Sequence, residues 1–261
     1  MKNNLVIIKL GGSVITFKEK SLSANIKAIE DISKILKRIE NPMIIIHGGG
    51  SFGHYWSVKF DMHTKPAKYD PYGISKVHTS MLTLNKIILD ILEDDGLNLY
   101  GISPSSFLKN GKLDAIKVKE LKKMTEHHII PITYGDIVHV FNNKYSILSG
   151  DVLMTKLSKI LKPSKIIFTL NVDGLYNNTI DKKIIKQVNF GSKMKLQKQT
   201  NFQNDMKIAD VTGGIKRKVE EAKKISREGL DVIFLNGLNP IQIENAITDK
   251  EFRGTIFKGK I

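Results

Sequence analysis

Lys9, His54, Asp151 and Lys218 are the side chains whose types and settings point to chemistry. Lys9 stands inside an otherwise apolar run, Leu5-Val6-Ile7-Ile8-Lys9-Leu10, and Gly11-Gly12-Ser13 follows at once. A lysine at the end of a buried strand is costly unless an anion meets it. His54 closes a second stretch, His47-Gly48-Gly49-Gly50-Ser51-Phe52-Gly53-His54, which follows the apolar Pro42 to Ile46. Glycines at this density let backbone N–H groups approach a charged ligand, and phosphate is the usual one. Asp151 follows Ser149-Gly150 at the head of a periodic apolar segment. Two roles are open to it: a helix N-cap, or a carboxylate that holds lysines beside a phosphate. Asp210-Val211-Thr212-Gly213-Gly214 is a further small-residue stretch, and Lys216, Arg217 and Lys218 come just after it. Cations disfavour a helix N-terminus. Three of them there make sense if they meet an anion; a basic solvated face is the bland alternative.

The chemistry these parts suit is phosphoryl transfer, which needs positioning and charge cancellation more than covalent help. Lys9, Lys18 and Lys218 are the candidate cations, and the glycine stretches supply N–H donors. There is no G-x-x-x-x-G-K-[ST] sequence, no protein-kinase set, and no G-x-G-x-x-G after the first strand.

The positioning elements read as alternating strands and helices. Leu5 to Leu10 and Pro42 to Ile46 are buried strands, separated by a helix from an N-cap at Ser23 to about Glu40. Two glycine loops at the ends of neighbouring parallel strands would face one crevice. Phe60 to Tyr72 is irregular, and Ile74 to Leu92 is a long helix whose apolar stripe includes Val77, Met81 and Leu84. Strands are expected at Leu97 to Ile102, Ile129 to Tyr134, Lys165 to Leu170, Val232 to Leu235 and Gly254 to Phe257. A hairpin turns at Asn142-Asn143. Helices are expected over Val118 to Met124, from Ser149-Gly150-Asp151 to Leu161, and over Ile215 to Arg227. Residues 177 to 210 read as loops with a short strand at Ile184 to Val188.

Composition narrows the class. The chain has 261 residues, 41% hydrophobic and 26% charged, as in an ordinary globular protein of one compact unit. A net charge of +15 raises nucleic-acid binding. The lysines are scattered, however, without a basic tail or aromatic–basic alternation, so a solvated surface and an anionic substrate are expected instead. The absence of cysteine excludes disulfides, thiolate nucleophiles and cysteine-bound metals, and fits the cytoplasm. No stretch approaches the roughly 18 to 20 apolar residues that span a bilayer.

Taken together, Lys9-Leu10-Gly11-Gly12-Ser13, His47-Gly48-Gly49-Gly50, Val172-Asp173-Gly174 and Thr212-Gly213-Gly214 resemble the amino acid kinase superfamily, in that family's order. The longer stretch ending at His54, with Thr133-Tyr134-Gly135-Asp136 and Ser149-Gly150-Asp151, is similar to its isopentenyl phosphate kinase branch. The resemblance implies an αβα sandwich around a mostly parallel open sheet. It implies a single domain whose N-terminal lobe (about 1–160) binds the phosphate acceptor and whose C-terminal lobe (about 161–261) binds ATP. The implied reaction makes isopentenyl diphosphate from isopentenyl phosphate and ATP with Mg²⁺, in a homodimer of cytoplasmic chains, with no metal held by protein ligands.

Residue by residue, the resemblance puts Lys9 between the β and γ phosphates. Gly11, Gly12, Gly49 and Gly50 supply N–H donors, with Ser13 on the nucleotide side and Gly150 on the acceptor side. His54 binds the acceptor phosphate, Lys18 and Lys218 offset transition-state charge, and Asp151 orients Lys9 and Lys218. Asn171, Asp173, Tyr176 and Gly213 lie by the nucleotide, and Met81 and Leu84 wall the prenyl tail. The family usually reads Thr-Asp-Val-Asp-Gly where this chain has Leu170-Asn171-Val172-Asp173-Gly174, so one carboxylate is missing. Rival readings are a superfamily kinase with a phosphonate or carboxylate acceptor, a catalytically silent nucleotide-binding regulator, and a nucleic-acid-binding protein.

Overall fold

The computed structural model describes residues 4–109, 111–177, 183–189 and 214–260. β1 (Val6–Leu10) is buried along its whole length, as a continuous apolar run in a parallel sheet should be. A single helical turn, α1 (Gly12–Ile15), and the amphipathic α2 (Ile26–Leu36) lead to β2 (Met43–His47), which is equally buried. Asn25, not Ser23, caps α2, accepting the Ala28 N–H at 3.3 Å. Ser23 is used elsewhere: its N–H donates to Ser51 Oγ and its carbonyl accepts from Phe17.

The glycine stretch after β2 is a loop only at Gly48 and Gly49, because α3 (Gly50–Lys59) starts inside it. Gly50 takes φ +47°, the left-handed value that turns the chain from strand into helix and that glycine tolerates. The long helix, α4 (Pro71–Asp94), begins three residues before the expected Ile74. Pro71 suits its first position, and Asp70 caps it by accepting the Gly73 N–H at 2.9 Å.

β3 (Leu99–Gly101) is followed by a 3-10 turn at Pro104–Phe107, then a small hairpin of β4 (Leu108–Lys109) and β5 (Lys112–Leu113). Next come α5 (Ala115–Glu126) and β6 (Ile130–Tyr134). The hairpin of β7 (Asp136–Phe141) and β8 (Lys144–Leu148) turns at Asn142 and Asn143, both at positive φ, as a two-residue primed turn demands. α6 (Gly150–Leu161) is capped by Ser149, whose Oγ accepts the Val152 N–H at 3.3 Å, so Asp151 lies inside the first turn and is not the cap. β9 (Lys165–Leu170) and a short β10 (Gln187–Val188) follow. The chain closes with α7 (Gly214–Ser226), β11 (Val232–Asn236), α8 (Ile241–Ile247) and β12 (Gly254–Phe257).

The eight-stranded sheet has the order β10-β12-β11-β9-β1-β2-β6-β3. Its pairs are parallel except for β12, which runs against β11. Helices cover both faces. Val6, Ile8 and Leu10 pack with Ile29, Leu84 and Ile243, from α2, α4 and α8. Ile7 and Ile44 pack on the other side with Val118, Leu157 and Ala222, from α5, α6 and α7. Alternation along a strand then decides where the polar side chains go. Lys9 shares the face of Ile7 and points toward α6 and α7. His47 shares the face of Met43 and Ile45 and points toward α4.

Candidate active site

β1 and β2 pair in register with Leu10 opposite His47, so their two glycine stretches leave the sheet side by side. The helices they open nearly touch. A Cβ on Gly12 would fall 2.5 Å from the Gly50 nitrogen and 2.6 Å from its Cα, both backbone atoms that cannot move aside. Thr16 ties the two turns: its Oγ1 donates to the Gly12 carbonyl at 2.7 Å and accepts the Ser51 N–H at 2.9 Å. A third helix start joins them. A Cβ on Gly150 would fall 3.0 Å from both the His47 carbonyl oxygen and Lys9 Cε. The opening N–H groups of α1, α3 and α6 are not consumed by their own helices. Gly12, Gly49 and Gly50 lie among these opening positions. Gly11 does not supply a donor as expected, because its N–H already reaches Thr169 Oγ1 at 3.0 Å.

Lys9 brings its charge to this junction. Its side chain is 4% exposed, and Nζ lies 3.0 Å from Asp151 Oδ1. Lys218 Nζ lies 3.4 Å from Asp151 Oδ2 with its side chain 16% exposed. Burial would raise the Asp151 carboxyl, but the Lys9 and Lys218 charges outweigh it and hold the group at about 2. Lys9 is pushed below the usual lysine range, first by burial and then by its cationic neighbours Lys218 and Arg217, against the pull of Asp151. One carboxylate among three cations leaves a positive site at the mouth of three helix N-termini. That combination binds an anion. Lys18 stands exposed in the turn that follows Thr16.

On the α4 side, His47 is fully buried. Its Nε2 lies 3.2 Å from Asn85 Oδ1, its Nδ1 lies 3.2 Å from the Gly48 carbonyl oxygen, and its ring stacks on Tyr134. Burial, aided by the Lys9 charge, pushes its pKa down to about 4 against those two hydrogen bonds, so the ring is neutral. Met81 Sδ would lie 3.2 Å from a Cβ on either Gly49 or Gly53, so Met81 walls the glycine turn. His54 sits half-buried on the same α3. Met81 and Leu84 are both buried in the core between α4 and the sheet, and of the two only Met81 comes against the glycine turn. The cavity beside α4, about 630 Å³, is lined by Ile74, Ser75, His78, Ile137, His139 and Tyr145, among others.

Across β1, Ser13 Oγ donates to Asn171 Oδ1 at 3.4 Å. Asp173 accepts from Asn236 Nδ2 at 3.0 Å and pairs with Arg253 at 2.9 Å. Tyr176 is half-buried and bridges to Ile184. The expectation for Gly213 lies outside the described residues. Sequence reasoning missed Thr169, Asn85, Arg253 and the contact of His78 with Asp136. Ile74, His78, Met81 and Asn85 recur at helical spacing, but the partner of His78 lies on β7, far away in sequence.

Residues 4–236 match the amino acid kinase family. The chain is 31% identical over 260 residues to the isopentenyl phosphate kinase of Thermoplasma acidophilum, covering 97% of this chain and 100% of that one. It is 28% identical over 273 residues to the isopentenyl phosphate kinase of Methanothermobacter thermautotrophicus, covering 98% and 100%. It superposes with a TM-score of 0.79 on a crystal structure of an isopentenyl phosphate kinase substrate complex, at 28% identity, covering 97% and 99%. The chain belongs to the amino acid kinase family and stands within it among the isopentenyl phosphate kinases.

Proposed function

We propose that the protein transfers the γ-phosphoryl group of ATP to isopentenyl phosphate, giving isopentenyl diphosphate and ADP. The observation that carries this is the buried Lys9–Asp151–Lys218 cluster at the meeting of three helix N-termini. An acceptor phosphate oxygen attacks the γ-phosphorus as the bond to the β-phosphate oxygen breaks. A phosphate monoester is largely ionised at neutral pH, so no general base is required. Lys9 and the N–H groups of Gly12 and Gly50 cancel charge on the moving group. Lys218 does the same, while Asp151 fixes both ammoniums. His54 and Gly49 hold the acceptor phosphate, and the α4 side of the sheet forms the acceptor lobe. The side beyond β9 holds the nucleotide, where Arg253 and Asn236 order Asp173.

Among the described residues no group of three or more acidic, histidine or cysteine side chains is placed to hold a metal. Both Asp151 oxygens face lysines. Mg²⁺ would therefore arrive on the nucleotide, held by phosphate oxygens and water, as its hydration habit favours. A cytoplasmic homodimer is the setting we propose.

A coupled ADP-release assay with Mg·ATP tests the reading, comparing isopentenyl phosphate, fosfomycin and N-acetylglutamate. Turnover confined to isopentenyl phosphate is expected. Turnover on another acceptor alone would move the substrate assignment and leave the phosphate site standing.

A further inference from the structure

α6 and α7 lie side by side on the face of the sheet toward which Lys9 points. Their apolar sides join one core through Leu153, Leu157, Val219, Ala222 and Ile225. Polar contacts run between them in the same order along both segments. Asp151 meets Lys218 at 3.4 Å, Thr155 meets Glu221 at 2.6 Å, and Lys159 meets Glu228, just past the end of α7, at 2.8 Å. The first belongs to the phosphate site. The last is exposed at both ends, and a pair of that kind holds little. The middle contact is buried, and phosphoryl transfer makes no direct use of it.

Glu221 is 4% exposed, and Thr155 is buried with it. Thr155 Oγ1 donates to Glu221 Oε2, and Lys224 Nζ, on a half-exposed side chain, lies 2.7 Å from Oε1. A carboxylate is expensive to bury, and an apolar residue would pack between two helices at lower cost. What the carboxylate adds is direction. The contacts of Val219, Ala222 and Ile225 are non-directional, whereas a short charge-assisted hydrogen bond is made at one register of the two helices. Sliding α7 by a single residue moves it about 1.5 Å along its axis, which breaks that bond and leaves the apolar contacts largely in place.

The spacing ties this contact to the phosphate site. Thr155 comes four residues after Asp151, and Glu221 three after Lys218. On each helix the two side chains therefore stand one above the other. The start of α7 needs such a tie. Lys216, Arg217 and Lys218 sit in its first turn, at the end of a helix that disfavours cations. Lys218 also faces Lys9 across Asp151, which has to hold both ammoniums at once.

We infer that Glu221, bonded to Thr155, is the positioning residue that holds Lys218 at the reacting phosphate. This rests on the phosphoryl-transfer reading above, in which Lys218 cancels charge on the moving group. Glu221 lies one turn away from that group and acts through where α7 presents the ammonium.

Kinetics with Mg·ATP and isopentenyl phosphate test this in the wild type, Glu221→Leu, Glu221→Gln and Thr155→Val, and in Lys218→Ala with and without Glu221→Leu. Glu221→Leu fills the space without the bond. It should lower kcat by about tenfold to a hundredfold, the scale of a displaced catalytic group, with the KM for isopentenyl phosphate unchanged. Glu221→Gln still offers the Thr155 hydroxyl an acceptor and should keep kcat close to the wild-type value. Thr155→Val removes the donor in nearly the same shape and should lower kcat as Glu221→Leu does; it serves as the test if Glu221→Leu does not fold. The double variant separates positioning from general damage: once Lys218 is alanine, losing Glu221 should cost no further kcat. Wild-type kcat in folded Glu221→Leu and Thr155→Val, or the same fractional loss with and without Lys218, overturns the inference while the function stands. No wild-type turnover of isopentenyl phosphate overturns the function and the inference with it.

Discussion

Acidification should weaken the fold through His47, by an amount the structure sets. The ring is fully buried and held near a pKa of 4, whereas in the unfolded chain a histidine titrates near 6.5. Between those values the unfolded chain binds the proton and the folded chain does not. Stability from this residue is therefore complete above about pH 6.5 and declines as pH falls toward 4. Each pH unit in the window removes about 1.4 kcal/mol, so the full loss is about 3 kcal/mol. Carboxylates titrate near the lower end of the same range, and a reference is needed to remove them. Urea unfolding from pH 7.5 to 4.5 should be followed for the wild type and for His47→Gln, which has nothing to protonate at that position. The wild-type free energy should drop more steeply by roughly 2 kcal/mol over the series. Parallel curves would show that protonated His47 is accommodated in place, and the reasoning from burial would be wrong.

Other substitutions test the site directly. Gly12→Ala drives a methyl into the Gly50 backbone; it should cost about 1–3 kcal/mol by urea unfolding and abolish most turnover. Asp151→Asn leaves Lys9 and Lys218 without their carboxylate. It should destabilise the protein by about 3–5 kcal/mol, with part of the loss restored by saturating ATP in a thermal-shift series. His54→Ala should cut kcat/KM for isopentenyl phosphate while calorimetry shows nearly unchanged ATP binding; equal loss of both would make the histidine structural. Lys218→Ala should lower kcat more than it raises KM, as an interaction that strengthens in the transition state does.

The central strands were legible because continuous branched apolar runs mean burial on both faces, and alternation then sends Lys9 to one side and His47 to the other. The Asn142-Asn143 turn was legible because both residues tolerate left-handed backbone. The start of α3 was not. Glycine is a poor helix former, and Gly48 to Gly53 reads as loop until Gly12 is seen against Gly50, a contact between residues far apart in sequence. Ser23 and Asp151 both look like caps locally, and both are claimed by tertiary partners, Ser51 in one case and two lysines in the other. Leu84 shares a stripe with Met81, but only the position of the sheet tells which of them meets the glycine turn. The His78–Asp136 pair joins α4 to β7 and has no local signature.

β1 is the first strand of the chain and lies in the middle of the sheet. Val6 pairs with Met43 on one edge and with Lys165 on the other. During synthesis the β2 edge can close early, but the β9 edge stays open until the residues from Lys165 onward have been made. Until then a strand that is apolar but for one lysine offers unpaired backbone groups to any neighbouring chain, the usual beginning of strand-to-strand aggregation. Lys9 lies on that open strand, without Asp151 until α6 has emerged. The charge that later faces phosphate thus also keeps the most exposed edge of the nascent chain from being wholly apolar, as gatekeeper lysines do.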